Sequence, residues 1–474
     1  ALVYLGVSLK SFHSDTQTHQ KRVLEFLKFK RQKYFSIVET CNTQNNQVLN
    51  LDNIHLSVPE NLPSVAFTPA AGAATRYNQV YEGLLSQIDA KNIDGSEAEL
   101  AKLQKTLEDC PIPRLLKSLF NKKISPANLD QMSAELNQPK ALYPGVTDGH
   151  NFLEIKNKEH NEIFKLAGQV FVVTSENLNH FKSLGKKLES MIPVAFLDQN
   201  QSLCTYRFKE NGEVAKSANG EPAWVAGGHG MLVKLFPEVK KLFPKARSVF
   251  IRNIDNIQGS NTVSKAATDK FFEFYSFMLE KMEQIRHQLN DNELKQADET
   301  ASQILKTLSL TGSNLKDLQN KVFHTPQTKV DLKELFQRPL NILGMVPNTG
   351  NDIGGTACVV DLEGQKIKIC LEVPHASEED KKKHLSLPES FFNPVFILAE
   401  LSKNIDSAYQ THPFWAVAQK SYKNETVYYH EELLSEVLGN SLNANCLFVA
   451  LPRSIFNPHK TVFDSKGKSL AHWF

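Results

Sequence analysis

The chain has 474 residues, 41% of them hydrophobic and 22% charged, which suits two or three soluble globular domains or one large α/β body with an appendage. Its 54 Lys and Arg residues nearly balance 52 Asp and Glu residues, which argues against a dedicated nucleic-acid binder but leaves room for local basic sites that take a small anion. The six cysteines, Cys41, Cys110, Cys204, Cys358, Cys370 and Cys446, form no CxxC pair and no Cys/His cluster, so neither a disulfide scaffold nor a structural zinc site is expected and a reducing, cytoplasmic setting fits best.

The start, "ALVYLGVSLK", is apolar but has no basic flank and is not read as a signal peptide. No apolar stretch approaches the roughly 18 residues that span a bilayer. Residues 15–35 carry the apolar spacing of an amphipathic helix with a basic face. Strand-like apolar runs then recur at Val65–Thr68, Val170–Thr174, Val194–Leu197, Ser248–Ile251 and Asn341–Val346. Helical patterns lie between them, from Glu176 and from Met231, so a mostly parallel sheet with helices on both faces is expected. Ligands of such sheets gather at the carboxyl ends of the strands. Two charged, helix-prone stretches, 78–138 and 264–336, read as insertions, and β-rich segments return from Arg338. The resulting division is an N-terminal helical region (1–60), a core with inserts (61–337) and a C-terminal region (338–474).

Four stretches carry chemistry. "FTPAAGAATRY" ends a buried strand in tiny residues and an arginine. Small residues let a backbone approach a ligand, and the N–H groups opening the next helix can hold phosphate. The stretch matches neither common phosphate loop, and on its residues alone an ordinary strand-to-helix turn explains it equally well. In "QPKALYPG", Pro139 fixes Lys140, either to aim a charge at an anion or as a surface loop. In "WVAGGHGMLVKLF", Gly227, Gly228 and Gly230 flank His229 before a helical pattern, for a ligand or simply for a turn. In "SVFIRNIDNIQGS", Asp255 stands at a strand end between Asn253 and Asn256, where one carboxylate could hold Mg²⁺; an Asn/Asp turn is the alternative.

In this order, the four stretches resemble the UDP-sugar pyrophosphorylases, most closely a bacterial branch with "GAATR", "PKAL", "GGHG" and "NIDN". The segment Pro69–Arg76 aligns with the family's nucleotide loop, Pro139-Lys140 with its Pro-Lys, and Gly228-His229-Gly230 with its glycine-histidine loop. Asn253-Ile254-Asp255-Asn256 aligns with its metal strand. In the C-terminal part "KICLEVPHAS", with Glu372, and "FFNP", with Asn393, are similar to its sugar-side segments. "LPRSIFNPHKTVFD" matches its most specific segment at Pro452, Arg453, Ser454, Phe456, Pro458, Lys460, Thr461 and Asp464. The resemblance runs from about residue 60 to the end, apart from the inserts.

The resemblance implies a GT-A-like nucleotidyltransferase core, a Rossmann-like α/β/α sandwich, with helical insertions and a β-rich C-terminal extension. It implies that UTP and a sugar 1-phosphate become a UDP-sugar and pyrophosphate with Mg²⁺ held by Asp255. Arg76, Lys140 and Lys460 would act on the phosphates. Ala70, Ala71, Gly72, Ala73, Gln199, Gly227, Gly228 and His229 would bind the nucleotide, and Asn253, Glu372 and Asn393 the sugar. Phosphoryl transfer of this kind needs positioning and charge neutralisation more than covalent help, which suits several cations on separate loops. The alternatives are a glycosyltransferase on the same fold, whose usual Asp-x-Asp is absent from this sequence, and a non-catalytic nucleotide-sugar-binding regulator.

Overall fold

The computed structural model describes residues 9–29, 34–52, 54–56, 62–87, 97–113, 117, 131, 136, 138–259, 262–324, 331–350, 354–402, 413–423 and 425–473. It is an α/β protein with a mixed sheet and helices. All five strands expected from apolar runs are present, at Ser64–Pro69, Gly168–Thr174, Val194–Gln199, Ser248–Arg252 and Leu340–Pro347. Four of them bury nearly every residue, which is why they read as continuous apolar runs rather than alternating ones. The chain divides into two compact, discontinuous units: Ala1–Ser64 with Asp198–Ile251 and Lys270–Leu451, and Val65–Leu197 with Arg252–Asp269 and Pro452–Phe474.

In the first unit, Leu340–Pro347 pairs antiparallel with Phe396–Glu400 and Phe391–Asn393, and parallel with Asn445–Ala450. Gly355–Leu362 pairs antiparallel with Ser36–Thr40 and Gln365–Leu371. The two-residue turn between Gly355–Leu362 and Gln365–Leu371 puts Glu363 at φ 54° and Gly364 at φ 84°, as the mirror-image hairpin turn requires. A smaller sheet joins Ala416–Tyr422, Glu425–Glu431 and Phe208–Lys209. The long helix Thr262–Asn290 buries Phe271, Phe274, Met278, Met282, Ile285 and Leu289, a three-and-four spacing that turns one face inward. Asn292, at φ 60°, then turns the chain into the helix Leu294–Thr307.

In the second unit, Ser64–Pro69 and Gly168–Thr174 are parallel neighbours, with Val65 opposite Gly168 and Phe67 opposite Val170. The core beside them is aromatic, built from Tyr77, Tyr81, Tyr143, Phe152, Phe171 and Phe181.

Three helices differ from expectation. The N-terminal helix is Leu9–Phe29, shifted towards the amino end of 15–35. The pattern from Glu176 gives a short turn and then Leu178–Gly185. It stops at Gly185, where a Cβ would lie 2.4 Å from the Phe196 ring. The pattern from Met231 is split into a 3₁₀ turn, His229–Leu235, and a helix, Phe236–Leu242. Pro237 cannot donate into a helix begun six residues earlier but is tolerated in a first turn. Of the insertion expected at 78–138, the helices Thr75–Gln87 and Glu97–Thr106 are described, and most of its remainder lies outside the described residues. Among the described residues, no helix is long and apolar enough to cross a membrane.

Candidate active site

The small-residue loop leaves the end of Ser64–Pro69 in the second unit. Ala70 is buried and donates its N–H to Val172 O at 2.8 Å, continuing the parallel pairing by one residue. The chain then surfaces: Ala71 is half-buried, and Gly72 and Ala73 are exposed. A Cβ built on Gly72 meets nothing within 4 Å, so the space beside this backbone is open. Ala74 returns to the core, and the helix Thr75–Gln87 begins with exposed Arg76 in its first turn.

The intervening helical stretch does not keep Lys140 away from this loop. Ala73 forms a bridge with Pro139, and Lys140 N–H donates to Gly72 O at 3.0 Å. Lys140 opens the turn Lys140–Leu142, and Tyr143 N–H closes it on Lys140 O. The Lys140 side chain points inward and is 9% exposed, with its ammonium 5.1 Å from the Tyr77 ring and 5.3 Å from the Phe152 ring. There it donates to Asp255 Oδ2 at 2.8 Å and to the His459 carbonyl. Lys460 donates to both oxygens of the same carboxylate, each at 3.0 Å. Residues from three distant parts of the chain thus meet, as two ammonium groups on one buried carboxylate.

The pair of cations dominates the titration of that carboxylate. Burial would raise the Asp255 pKa, but Lys140 and Lys460 outweigh it and hold it at about 2. Burial pulls Lys140 below its ordinary value and Lys460 adds to that, while Asp255 opposes both. The trio carries a net charge of +1. The side chain of Lys460 is 41% exposed, so the surplus charge sits at its solvent side.

A network that the sequence did not announce holds the turn carrying Asp255. Lys156, Glu159 and Arg252 are fully buried. Lys156 donates to Glu159 and, at 2.6 Å, to Asn256 O, and Arg252 donates to the same carbonyl at 3.0 Å. Glu159 accepts from Gln258 N–H at 2.6 Å and lies 3.3 Å from Arg252. The Asn256 side chain accepts from Asn457 N–H at 2.9 Å, and His459 N–H donates to Asp255 O at 2.8 Å. The turn is therefore stitched to the C-terminal segment by its backbone and anchored below by buried charge. In that segment Thr461 and Asp464 cap each other's backbone, which accounts for their three-residue spacing. Asn253 is half-buried, and its carbonyl accepts from Asn256 N–H at 3.4 Å.

These residues do not fit a resident Mg²⁺ as arranged. That ion seeks six oxygens in near-octahedral order. Asp255 offers one carboxylate whose two oxygens already accept from ammonium groups, and the nearby His459 carbonyl accepts from Lys140.

The remaining candidates lie on the first unit. Gln199 ends the strand Val194–Gln199 and is half-buried. Gly228 sits at φ 91°, and a Cβ there would lie 2.3 Å from Glu432 O. Glu432 N–H donates to Gly227 O at 2.7 Å and Glu432 O accepts from Gly230 N–H at 2.9 Å, so the glycines let two backbones touch. His229 between them is exposed. Glu372 is half-buried, and burial next to the Glu436 carboxylate pushes it up to about 7. Asn393 is 2% exposed; its amide donates to Gly344 O and Phe396 O and its oxygen accepts from Val395 N–H, an arrangement that fixes the left-handed turn at Val395.

The family model of a domain of unknown function, DUF4301, matches residues 147–467, about two-thirds of the chain. The chain belongs to the DUF4301 family. Among curated proteins none matches it. This DUF4301 protein is similar in structure to a single-residue variant of Leishmania major UDP-glucose pyrophosphorylase solved with UDP-glucose. The TM-score is 0.53 at 13% identity, over 96% of this chain and 75% of that one. The Trypanosoma brucei UDP-glucose phosphorylase aligns with a TM-score of 0.45 at 14% identity, over 89% of this chain and 70% of that one. The first of these establishes the fold: the DUF4301 chain has the α/β nucleotidyltransferase fold of the UDP-sugar pyrophosphorylases.

Proposed function

We propose that the chain is a nucleotidyltransferase that converts UTP and a sugar 1-phosphate into a UDP-sugar and pyrophosphate. The observation that carries this reading is the Lys140–Asp255–Lys460 trio, joined through the Lys140 backbone to the open loop at Gly72. A buried carboxylate holding two ammonium groups fixes positive charge in place, and the more exposed one can turn to an arriving phosphate. In the reaction, an oxygen of the sugar phosphate attacks the α-phosphorus of UTP. The bond from that phosphorus to the bridging oxygen breaks, and pyrophosphate leaves with the electron pair. Lys140 and Lys460 lower the repulsion between the two anions, and Arg76, exposed beside the loop, steadies the departing pyrophosphate. Uridine and a sugar are suggested by the motif resemblance and by the UDP-glucose bound to the Leishmania enzyme. Glu372 and Asn393 are assigned to the sugar side and His229 to the nucleotide on the same resemblance.

The test is pyrophosphate release from UTP with a panel of sugar 1-phosphates, with and without Mg²⁺, beside calorimetry with UTP and UDP-glucose. Turnover with at least one sugar is expected, together with loss of nucleotide binding in Gly72→Trp at unchanged stability. Binding without turnover would favour a nucleotide-sugar-binding regulator. Absence of both turnover and binding would sink the reading.

A further inference from the structure

In the first unit, two imidazoles are buried where the surrounding pattern is apolar. The helix Leu9–Phe29 turns Val23 and Leu27 against Phe208 and Tyr428, and Phe26 lies 6.0 Å from the Tyr428 ring. One turn earlier on that face stands His19, 4% exposed. Alternate residues of a strand share a face, so Tyr428 and His430 on Glu425–Glu431, and Glu432 just beyond it, follow one another on one side. His430 is fully buried, with its ring 4.0 Å from the His19 ring and 13° from parallel. Its Nε2 lies 3.3 Å from Glu432 Oε1. One donor atom from each of His19, His430 and Glu432 lies within 4.8 Å of the others. His19 Nδ1 is buried without a hydrogen-bond partner among the described residues.

We propose that His19, His430 and Glu432 form a binding site for a divalent transition-metal ion of the Zn²⁺ class that fastens the N-terminal helix to this strand. Two imidazoles and one carboxylate are a borderline-soft donor set, suited to Zn²⁺ or Co²⁺ rather than to Mg²⁺ or Ca²⁺. The His-x-Glu spacing delivers two ligands from one strand face and the helix delivers the third. Glu432 supplies negative charge against Arg22 and Lys234, which lie near His19. Because a lone pair lies in its ring plane, chelation requires at least one imidazole to rotate out of the stack. The Glu432 backbone also holds Gly227 and Gly230, so the ion would stiffen the base of the glycine loop.

The site does not depend on the nucleotidyltransferase reading, and its test uses no activity. The full chain, stripped with EDTA, is titrated with Co²⁺ and then Zn²⁺. One Co²⁺ per chain is expected, with visible d–d absorption that Zn²⁺ displaces and millimolar Mg²⁺ does not. His19→Ala and Glu432→Gln should each weaken Co²⁺ binding by about ten-fold or more while circular dichroism stays unchanged. Should one variant fail to fold, the other still decides. Absence of a bound ion in the parent chain, or an affinity unchanged in the variants that fold, overturns the proposal.

Discussion

Replacing Asp255 with Asn keeps the shape of the side chain and removes the charge on which two lysines converge. Holding the carboxyl at about 2 rather than its ordinary 3.8 corresponds to about 2–3 kcal/mol of stabilisation at neutral pH. Burial makes that figure usable without a large allowance for screening, since Asp255 is 8% exposed. The variant also leaves the Lys140 ammonium buried against an amide, which raises the expected loss to about 2–4 kcal/mol. The pH dependence has a definite sign. A depressed carboxylate pKa stabilises the folded chain above the unfolded value, and the gain disappears as pH falls from about 4 through about 2. Urea denaturation of the parent and Asp255→Asn at pH 7 and pH 3 reads this directly, and about half of the charge-dependent difference should remain at pH 3. Adding Lys140→Met should recover part of the loss, because the orphaned cation is then gone. A difference below about 0.5 kcal/mol at pH 7, or one that does not shrink with acid, would show that the two lysines do not hold this carboxylate in the folded chain.

Lys460→Ala should abolish pyrophosphate release yet change urea stability by no more than about 1 kcal/mol, because a half-exposed ammonium is well screened; Lys460→Arg should restore activity only in part. Glu159→Gln should cost about 3–5 kcal/mol in the same denaturation assay, since Lys156 and Arg252 would lose their buried counter-ion. Gly228→Ala should cost about 2 kcal/mol or more, read as a lowered thermal midpoint, because the new methyl meets Glu432 O at a positive φ. Glu372→Gln should stabilise the chain by about 1–2 kcal/mol at pH 8 and by nothing near pH 4.5, since a raised carboxylate pKa penalises the charged folded form only above its unfolded value.

Four of the five strands were readable because they are buried on both faces, so apolar residues ran together without any need to know the partner strand. The helix from Met231 was half-readable, because amphipathic spacing continues through Pro237 while hydrogen bonding cannot. At the candidate site, Lys140, Asp255 and Lys460 were picked out by motif, but nothing in "PKAL", "NIDN" or "NPHKT" says that two of them share the third. Lys156 and Glu159 were missed for a physical reason. Charges three residues apart on a helix look like a solvated face, and what buries them is Arg252 and the Asn256 carbonyl, about a hundred residues away. The His-x-Glu pair after Tyr429 was equally silent, because its third member lies on a helix roughly four hundred residues earlier.

The crossing of Lys460 onto Asp255 also sets an order of events during synthesis. Asp255 and Lys140 leave the ribosome long before Lys460, which follows Asp255 by 205 residues. Until then the nascent second unit lacks the segment Pro452–Phe474, with its His459 carbonyl for Lys140 and its backbone N–H groups for Asn256 and Asp255. A growing chain can pair one lysine with the carboxylate but cannot close the turn around it. Chains interrupted before residue 460 would therefore carry a half-neutralised, loosely held carboxylate, open to chaperones and proteases. Emergence of Lys460, rather than folding of the parallel strands, would be the moment at which the carboxylate held by two lysines exists.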